Sequence, residues 1–304
     1  MSRHRIERVR DDEFGWDVTC ATTGIATRAR CESMMLALGA KSFPEMVYDS
    51  ALTLKHEDSG VTLTFDAERA LGAMVEAKGR GVKVAHAETW TRAHAERFGD
   101  VDQRAIAEDD SSANEERGEK VRASASSAGW HSRETTESYD WTFTTPYGGT
   151  ASADERTGKP CPTWEPTTRR IDRDMLTERD PIRLYDEITL YESELDDNGV
   201  AHLGVKVRVM PKCWYVLLRF WLRVDGVCLR LRETRFFCDI TRRDELGAVI
   251  IVRETTSREE TWAELRARGA PVDPREYPDA DAAALVLASA ARAPIVEFHE
   301  LRLA

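Results

Sequence analysis

Arginines interrupt the most apolar stretch of the chain, VMPKCWYVLLRFWLRVDGVCLRLRETRFF, which spans residues 209–237. Arg219, Arg223 and Arg230 lie within it, together with Trp221. The planar guanidinium fork matches the geometry of a carboxylate, so these arginines could bind the acidic groups of a partner. The stretch is therefore the first candidate for a binding site.

The same stretch predicts a β-hairpin. A membrane helix needs about 20 consecutive apolar residues, and the arginines interrupt the run before that length is reached. If Asp225 and Gly226 form a two-residue turn, the two strands acquire one face that is almost wholly apolar. That face contains the opposed pairs Val224 and Val227, Leu222 and Leu229, Phe220 and Leu231, and Leu218 and Glu233.

On the other face this register places Trp221 opposite Arg230 and Arg219 opposite Arg232. Like charges directly opposite each other destabilise a sheet by up to about 1 kcal/mol, so this face needs a counter-charge. A carboxylate of a neighbouring strand, such as Glu187, could supply it. The carboxylates of a partner could supply it instead. In that second case the arginines and Trp221 form a partner-binding surface, and the sequence leaves both interpretations open.

Motifs of the common enzyme classes are absent, namely the GxxxxGK[ST] phosphate loop, GxGxxG, GxSxG and HExxH. The six cysteines form no CxxC pair, so neither a zinc site nor a disulfide framework is indicated. We therefore expect no catalytic residue, no metal and no cofactor, and favour a binding protein over an enzyme. The alternative is a small-anion-binding β protein or an uncharacterised hydrolase that uses Trp141, Trp221 and the arginines.

Composition narrows the class of partner. The chain has 304 residues, of which 41% are hydrophobic and 32% are charged, as is typical of a globular protein. Its net charge of -11 argues against nucleic acid as a partner, because phosphate binding needs clustered positive charge. The start, MSRHRIERVRDDEF, lacks the apolar run of a secretory signal. We expect a cytoplasmic protein without a membrane partner, and a nuclear location stays open.

The order of the predicted elements indicates an α+β fold. Strand patterns such as WDVTCATT and VTLTF alternate with few helical patterns such as RARCESMMLALGAK and AERALGAMVEAKG. Asn198-Gly199 predicts a hairpin turn that places Ile188 opposite Val209, and the spacing of Ser257 and Glu260 fits a capping box. Strands joined by tight turns predict a single domain around an antiparallel β-sheet with peripheral helices.

Changes in composition suggest boundaries along the chain. We expect a basic N-terminal tail at residues 1–13, the main domain at residues 14–270, and a C-terminal helix and strand at residues 271–304 that complete it. Residues 93–138 are acidic and rich in serine, with few large apolar side chains. Such a segment cannot bury enough surface to offset its ordering entropy, so we expect a mobile insertion.

Five blocks of sequence, in this order, resemble the Tip-forty-one-like proteins, which are also called TOR signalling pathway regulator-like proteins. They are FPEMVYDSALTLKH, VKVAHAETW, YDWTFTTPYGGT, VKVRVMPKCWYVLLRFWLRVDGVCLRLRETRFF and ETTSRE. The resemblance covers about residues 14–266, without the insertion. It implies a fold built around antiparallel sheet, with two lobes and a surface cleft.

The resemblance also implies a function. Proteins of this family have no catalytic activity of their own and bind the catalytic subunits of type 2A-like serine/threonine phosphatases, in signalling linked to the TOR kinase. A phosphatase-binding protein of the Tap-forty-two or alpha-four type is an associated partner. The cleft is associated with the C-terminal tail of the phosphatase, whose terminal carboxylate would suit an arginine.

Family positions linked to phosphatase contact match four residues of this chain. Ile171 in PTTRRID matches an isoleucine of the family, and Leu231 and Glu233 in LRLRETR stand where the family has a methionine and an aspartate. Arg69 in FDAERAL stands where the family has an acidic residue, next to Glu68. The resemblance therefore implies partner contacts at the first three positions and puts the contact at Arg69 in doubt.

Overall fold

The computed structural model describes residues 4–77, 85–87, 130–132, 141–154, 160–179 and 181–303. The chain divides into two compact units, one formed by residues 1–81 and 139–304 and the other by residues 82–138. In the second unit the strands Ala85–Ala87 and Trp130–Ser132 pair with each other in antiparallel orientation. The rest of the insertion expected at residues 93–138 lies outside the described residues.

Antiparallel strands dominate the described part of the chain. In chain order they are β1 (Arg5–Asp11), β2 (Trp16–Thr22), β3 (Met46–Val47), β4 (Ala51–His56), β5 (Val61–Asp66), β6 (Ala85–Ala87), β7 (Trp130–Ser132), β8 (Thr150–Ala153), β9 (Glu165–Pro166), β10 (Leu184–Ser193), β11 (Gly199–Val209), β12 (Cys213–Val224), β13 (Cys228–Asp239), β14 (Val249–Thr261) and β15 (Ile295–Leu303). The α-helices are α1 (Arg28–Leu38), α2 (Ala67–Glu76), α3 (Arg173–Thr177), α4 (Trp262–Ala267) and α5 (Ala280–Leu287). This content confirms the predicted α+β class with antiparallel sheet and peripheral helices.

Local sequence sets the limits of the first two helices. The Thr27 side chain caps the N-terminus of α1, and Gly39 ends that helix in the left-handed conformation, at φ 62°. Asp66 caps α2, and the buried residues of α2 follow the spacing of a single helix face. They are Ala67, Ala70, Leu71 and Met74.

Two sheets of the first unit pack face to face. The five-stranded sheet has the order β1-β2-β4-β5-β8, so the expected N-terminal tail contains an edge strand. The eight-stranded sheet has the order β3-β10-β11-β12-β13-β14-β15-β9. Its inner face packs on the smaller sheet, with the ring centroids of Trp16 and Trp214 5.2 Å apart and those of Phe65 and Phe236 5.1 Å apart. We call the opposite side of the larger sheet the outer face.

Two apolar clusters cover parts of the outer face. The helix cluster lies beneath α4 and α5 and consists of Trp221, Leu229, Leu231, Trp262, Leu265, Tyr277, Ala280, Ala283 and Leu287. The Ile171 cluster lies near the other end of the β12–β13 hairpin and consists of Ile171, Met210, Cys213, Phe237 and Val252. Between the two clusters the outer face carries charged residues, so the clusters frame a polar strip.

The predicted β12–β13 hairpin is confirmed, but its predicted register is wrong by one residue. Val224 pairs with Cys228, and the backbone N–H of Val227 donates to the carbonyl of Val224 at 2.9 Å. The loop therefore contains three residues, and Gly226 in its middle adopts the left-handed conformation, at φ 73°. A shift of one residue moves every side chain of the second strand to the other face of the sheet.

Two other turn predictions need correction. The hairpin at Gly199 forms, but Ile188 lies opposite Val205 because β10 contains a register shift and the loop is longer than two residues. The predicted capping box lies four residues further along the chain, where Thr261 and Glu264 cap α4. Ser257 belongs to β14, whose pairing with β13 extends through this position.

Residues 271–304 contain α5 and the closing strand β15. No α-helix in the described ranges combines the length and the hydrophobicity needed to cross a membrane.

We predict that Phe236→Ala lowers the free energy of unfolding by about 3–5 kcal/mol, because the substitution leaves a cavity between the two sheets. Phe236 is fully buried and its ring contacts the edges of Phe65 and Trp164. Leu246→Ala is the matched control, since Leu246 is 84% exposed, and should change stability by less than about 0.5 kcal/mol. Guanidinium-induced unfolding followed by circular dichroism measures both. Equal effects of the two substitutions would contradict the packing of the two sheets described above.

Candidate partner-binding site

The β12–β13 register places Arg219 directly opposite Glu233 on the outer face. The Nε and Nη2 atoms of Arg219 donate to Oε1 of Glu233 at 3.1 and 2.8 Å. Arg235 donates from Nη2 to the other oxygen, Oε2, at 2.5 Å. Both oxygens of the buried Glu233 carboxylate are therefore paired with guanidinium groups, which offsets the free-energy cost of removing its charge from water.

The C-terminal helix α5 is attached to this pair. Nη1 of Arg219 donates to Oδ1 of Asp281, in the first turn of α5, at 2.5 Å. This hydrogen bond lowers the pKa of Asp281. Burial alone would lower the pKa of Arg219, but its hydrogen bonds to Asp281 and Glu233 outweigh burial and raise that pKa. The Asp281 side chain is 73% exposed, so this pair is the solvent-accessible end of the network.

A second charged pair, Arg235 and Glu254, lies on the outer face two residues along β13 from the pair of Arg219 and Glu233. Arg235 pairs in register with Glu254 of β14. The Glu254 carboxylate accepts the backbone N–H of Ile171 at 2.8 Å and lies 3.3 Å from Nη2 of Arg173. We call Arg219, Glu233, Arg235 and Glu254 the charged strip. The charged strip lies on the outer face between the helix cluster and the Ile171 cluster.

Arg223, Trp221 and Leu231 also lie on the outer face, beneath the C-terminal segment that contains α4 and α5. Trp221 and Leu231 are paired across the hairpin and are both buried in the helix cluster. Arg223 donates from Nε to Asp225 at 2.7 Å and from Nη1 to the carbonyls of Pro274 and Tyr277 at 3.1 and 2.9 Å. These contacts attach the C-terminal segment to the sheet, and they leave Trp221 and Leu231 covered by the chain itself.

Arg230 lies on the inner face of the sheet, whereas the predicted register placed it on the same face as Trp221. It pairs across the hairpin with Leu222. Its Nε donates to Glu259 and its Nη1 to the hydroxyl of Thr144, each at 2.7 Å. The expectation that Arg219, Arg223 and Arg230 share one face with Trp221 is therefore wrong for Arg230. Neighbouring strands supply carboxylates to Arg219 and Arg230, namely Glu233 and Glu259 and not Glu187, while Asp225 of the hairpin loop pairs with Arg223.

Ile171 is buried in the cluster that carries its name, with 5% of its surface exposed. Its backbone N–H binds the Glu254 carboxylate, so the residue positions the edge of the charged strip. Direct contact between this side chain and a partner would require the cluster to open.

Arg69 lies apart from the charged strip, in the first turn of α2. It forms an ion pair with the capping residue Asp66, while the adjacent Glu68 pairs with Arg30 at 2.6 Å. Both pairs line a groove of about 870 Å³ between α1, α2 and residues 146–150. The groove carries both signs of charge, and its ion pairs are formed within the chain.

The sequence-based interpretation missed Arg235, Glu254 and Asp281. Arg235 and Glu254 would have followed from the correct register, because they continue the face of Arg219 and Glu233 across β13 and β14. Asp281 had no local signal, since 62 residues separate it from Arg219.

We predict that Glu233→Gln lowers the free energy of unfolding by about 1–3 kcal/mol, because it removes the charge shared by two half-buried guanidinium groups. Glu259→Gln is the matched control, since Glu259 pairs with a single arginine, Arg230, and its side chain is 39% exposed compared with 5% for Glu233. The control should cost less than about 1 kcal/mol. Urea denaturation at neutral pH measures both. A Glu233→Gln cost no larger than the control would show that the pairing does not stabilise the fold.

Comparison with known proteins places the chain in a family. The sequence profile of the TIP41-like family matches residues 46–266. A TIP41-like protein of Arabidopsis thaliana is 36% identical over 269 residues, which are 85% of this chain and 80% of the relative. A TIP41-like protein of Homo sapiens is 35% identical over 252 residues, which are 82% of this chain and 76% of the relative. The type 2A phosphatase activator TIP41 of Saccharomyces cerevisiae is 33% identical over 130 residues, or 43% of this chain and 33% of the relative.

The matched range includes the whole charged strip and both strands that form its centre, while Asp281 lies beyond it. Together, the profile match and the similarity over most of the length of these relatives establish that the chain belongs to the TIP41-like family.

Proposed function

We propose that the protein is a non-enzymatic regulator that binds the catalytic subunit of type 2A-like serine/threonine phosphatases and modulates their activity or assembly. The observation that carries the proposal is membership of the TIP41-like family, in which relatives from Saccharomyces cerevisiae and Schizosaccharomyces pombe are named type 2A phosphatase activators. A cytoplasmic role in TOR-linked signalling, with a Tap-forty-two or alpha-four type protein as a further partner, is part of the same proposal.

The charged strip is the surface of this chain best suited to the contact. A phosphatase tail ends in a free carboxylate, and arginine binds carboxylates through two parallel N–H donors. Arg219 already holds the carboxylate of Asp281, whose side chain is mostly exposed. Asp281 is the exposed member of this pair, so the carboxylate of a partner can reach Arg219 and take its place. We therefore propose Arg219, with Arg235 beside it, as the tail-binding residues.

The remaining candidates take other roles in this proposal. Trp221, Leu231 and Ile171 support the strip from the two buried clusters, and Arg223 attaches the C-terminal segment. The alternative of a small-anion site around Trp221 has less support, because α4 and α5 cover this ring.

Binding to the purified catalytic subunit tests the proposal. Isothermal titration calorimetry should give saturable binding, and removal of the phosphatase C-terminal tail should weaken it by about tenfold, as expected when a charged hydrogen-bonded contact is lost. Circular dichroism confirms that the protein is folded in each titration. Absence of binding by folded protein to every type 2A-like catalytic subunit would reject the function, and equal affinity with and without the tail would reject the tail contact.

Asp281→Asn tests the exchange of carboxylates at Arg219. We predict that a tail peptide with a free C-terminus binds this variant up to about fivefold more tightly, because the internal competitor has lost its charge. Asp225→Asn is the matched control, since Asp225 is a partly exposed partner of Arg223 in the loop of the same hairpin and its substitution should leave the affinity unchanged. Fluorescence anisotropy measures the affinity, with the amidated peptide as a second control. Weaker binding by Asp281→Asn than by Asp225→Asn would contradict the exchange.

A further inference from the structure

A small pocket opens on the outer face beyond the charged strip. It has a volume of about 230 Å³ and lies between residues 169–175 and the loop that connects β13 to β14. Sites for whole small molecules usually measure about 300–1,000 Å³, so this pocket is better matched to a single side chain of a larger partner.

The floor of the pocket is apolar. Phe237 and Val252 are paired across β13 and β14 and are buried, and Ile250 and Met175 complete the floor. They belong to the Ile171 cluster or pack against it, which holds them in place. An apolar side chain of a ligand would bury its surface against this floor.

The rim of the pocket carries four arginines, and three of them lack a carboxylate partner among the described residues. Arg170 donates to the carbonyls of Thr168 and Arg169 at 2.8 and 3.0 Å, and its guanidinium lies 3.4 Å from the centre of the Phe298 ring. Arg243 donates only to backbone carbonyls. Arg242 is exposed and forms neither a hydrogen bond nor an ion pair within the described part of the chain. By contrast, the fourth arginine, Arg169, forms an ion pair with Glu300, with 3.1 Å between Nε and Oε2.

The three aspartates around the pocket are engaged elsewhere. Asp172 accepts the backbone N–H groups that begin α3, and Asp239 accepts the N–H and hydroxyl of Thr241. Asp244 accepts two backbone N–H groups of its own loop and pairs with Arg302. None of these aspartates pairs with Arg170, Arg242 or Arg243, so these three guanidinium groups remain able to bind the carboxylates of another molecule.

We propose that this pocket binds an acidic segment of a partner protein, with an apolar side chain on Phe237 and Val252 and flanking carboxylates on Arg170, Arg242 and Arg243. The apolar floor and the guanidinium rim together require a ligand with both features. The net charge of -11 disfavours extended polyanions such as nucleic acid, whose binding needs a wide basic surface. This contact is separate from the phosphatase tail contact at Arg219, so either can fail without the other.

A peptide with blocked ends tests the proposal and excludes any contribution from a terminal carboxylate. The probe is a fluorescein-labelled, amidated heptapeptide with the sequence Glu-Asp-Glu-Leu-Glu-Asp-Glu, titrated with the full-length protein and followed by fluorescence anisotropy. We expect saturable binding, which Arg242→Glu or Arg243→Gln weakens by about tenfold through loss of a charge-assisted hydrogen bond. Arg266→Glu is the matched control, because Arg266 is also exposed but lies on α4, away from the pocket, and its substitution should change the affinity less than about twofold.

Two further peptides separate specific recognition from charge attraction. Replacing the acidic residues with glutamine and asparagine should abolish binding, and replacing the leucine with serine should weaken it by about tenfold. The proposal is overturned if the wild-type protein does not bind the acidic peptide saturably. It is also overturned if Arg266→Glu weakens binding as much as Arg242→Glu, or if the serine peptide binds as tightly as the leucine peptide.

Discussion

The pairing of Arg219 with the buried Glu233 is the interaction on which the outer face depends. A carboxylate that is nearly inaccessible to water is stable only when ionised partners bind its oxygens, and Arg219 and Arg235 do so from two sides. The three-residue loop after Val224 sets this arrangement, because a loop one residue shorter would place Glu233 on the other face. Arg219 then extends the network to Asp281 and so orients α5 over the sheet.

Sequence reasoning succeeded where a signal was local. The helical pattern RARCESMMLALGAK corresponds to α1 and the alternation in WDVTCATT to β2, because these patterns act within one element. It failed at the β12–β13 register, since a glycine with positive φ suits a two-residue or a three-residue loop equally well. It also misplaced a capping box, because two Ser/Thr-x-x-Glu patterns follow each other and strand pairing determines which one starts the helix.

The candidate site was only partly predictable, because it depends on the β12–β13 register and on tertiary packing. Arg219 and Glu233 were both selected from the sequence, but the one-residue error placed them on opposite faces and concealed their contact. The role of Asp281 depends on the packing of α5 against β12, a tertiary contact that no local pattern records. The correct register changes the interpretation of the arginines. Their charges are balanced within the chain, so a partner must compete for Arg219 with an exposed carboxylate already in place.

Hydrogen–deuterium exchange of the protein, free and bound to a type 2A-like catalytic subunit, tests the central claim most directly. If the charged strip binds the phosphatase, amides of β12 and β13 near Arg219 and Glu233 become more protected in the complex. Amides of α5 become less protected, because Asp281 has been displaced from Arg219. Protection confined to α1 and α2, around the groove that contains Arg69, with no change at the charged strip, would contradict the account.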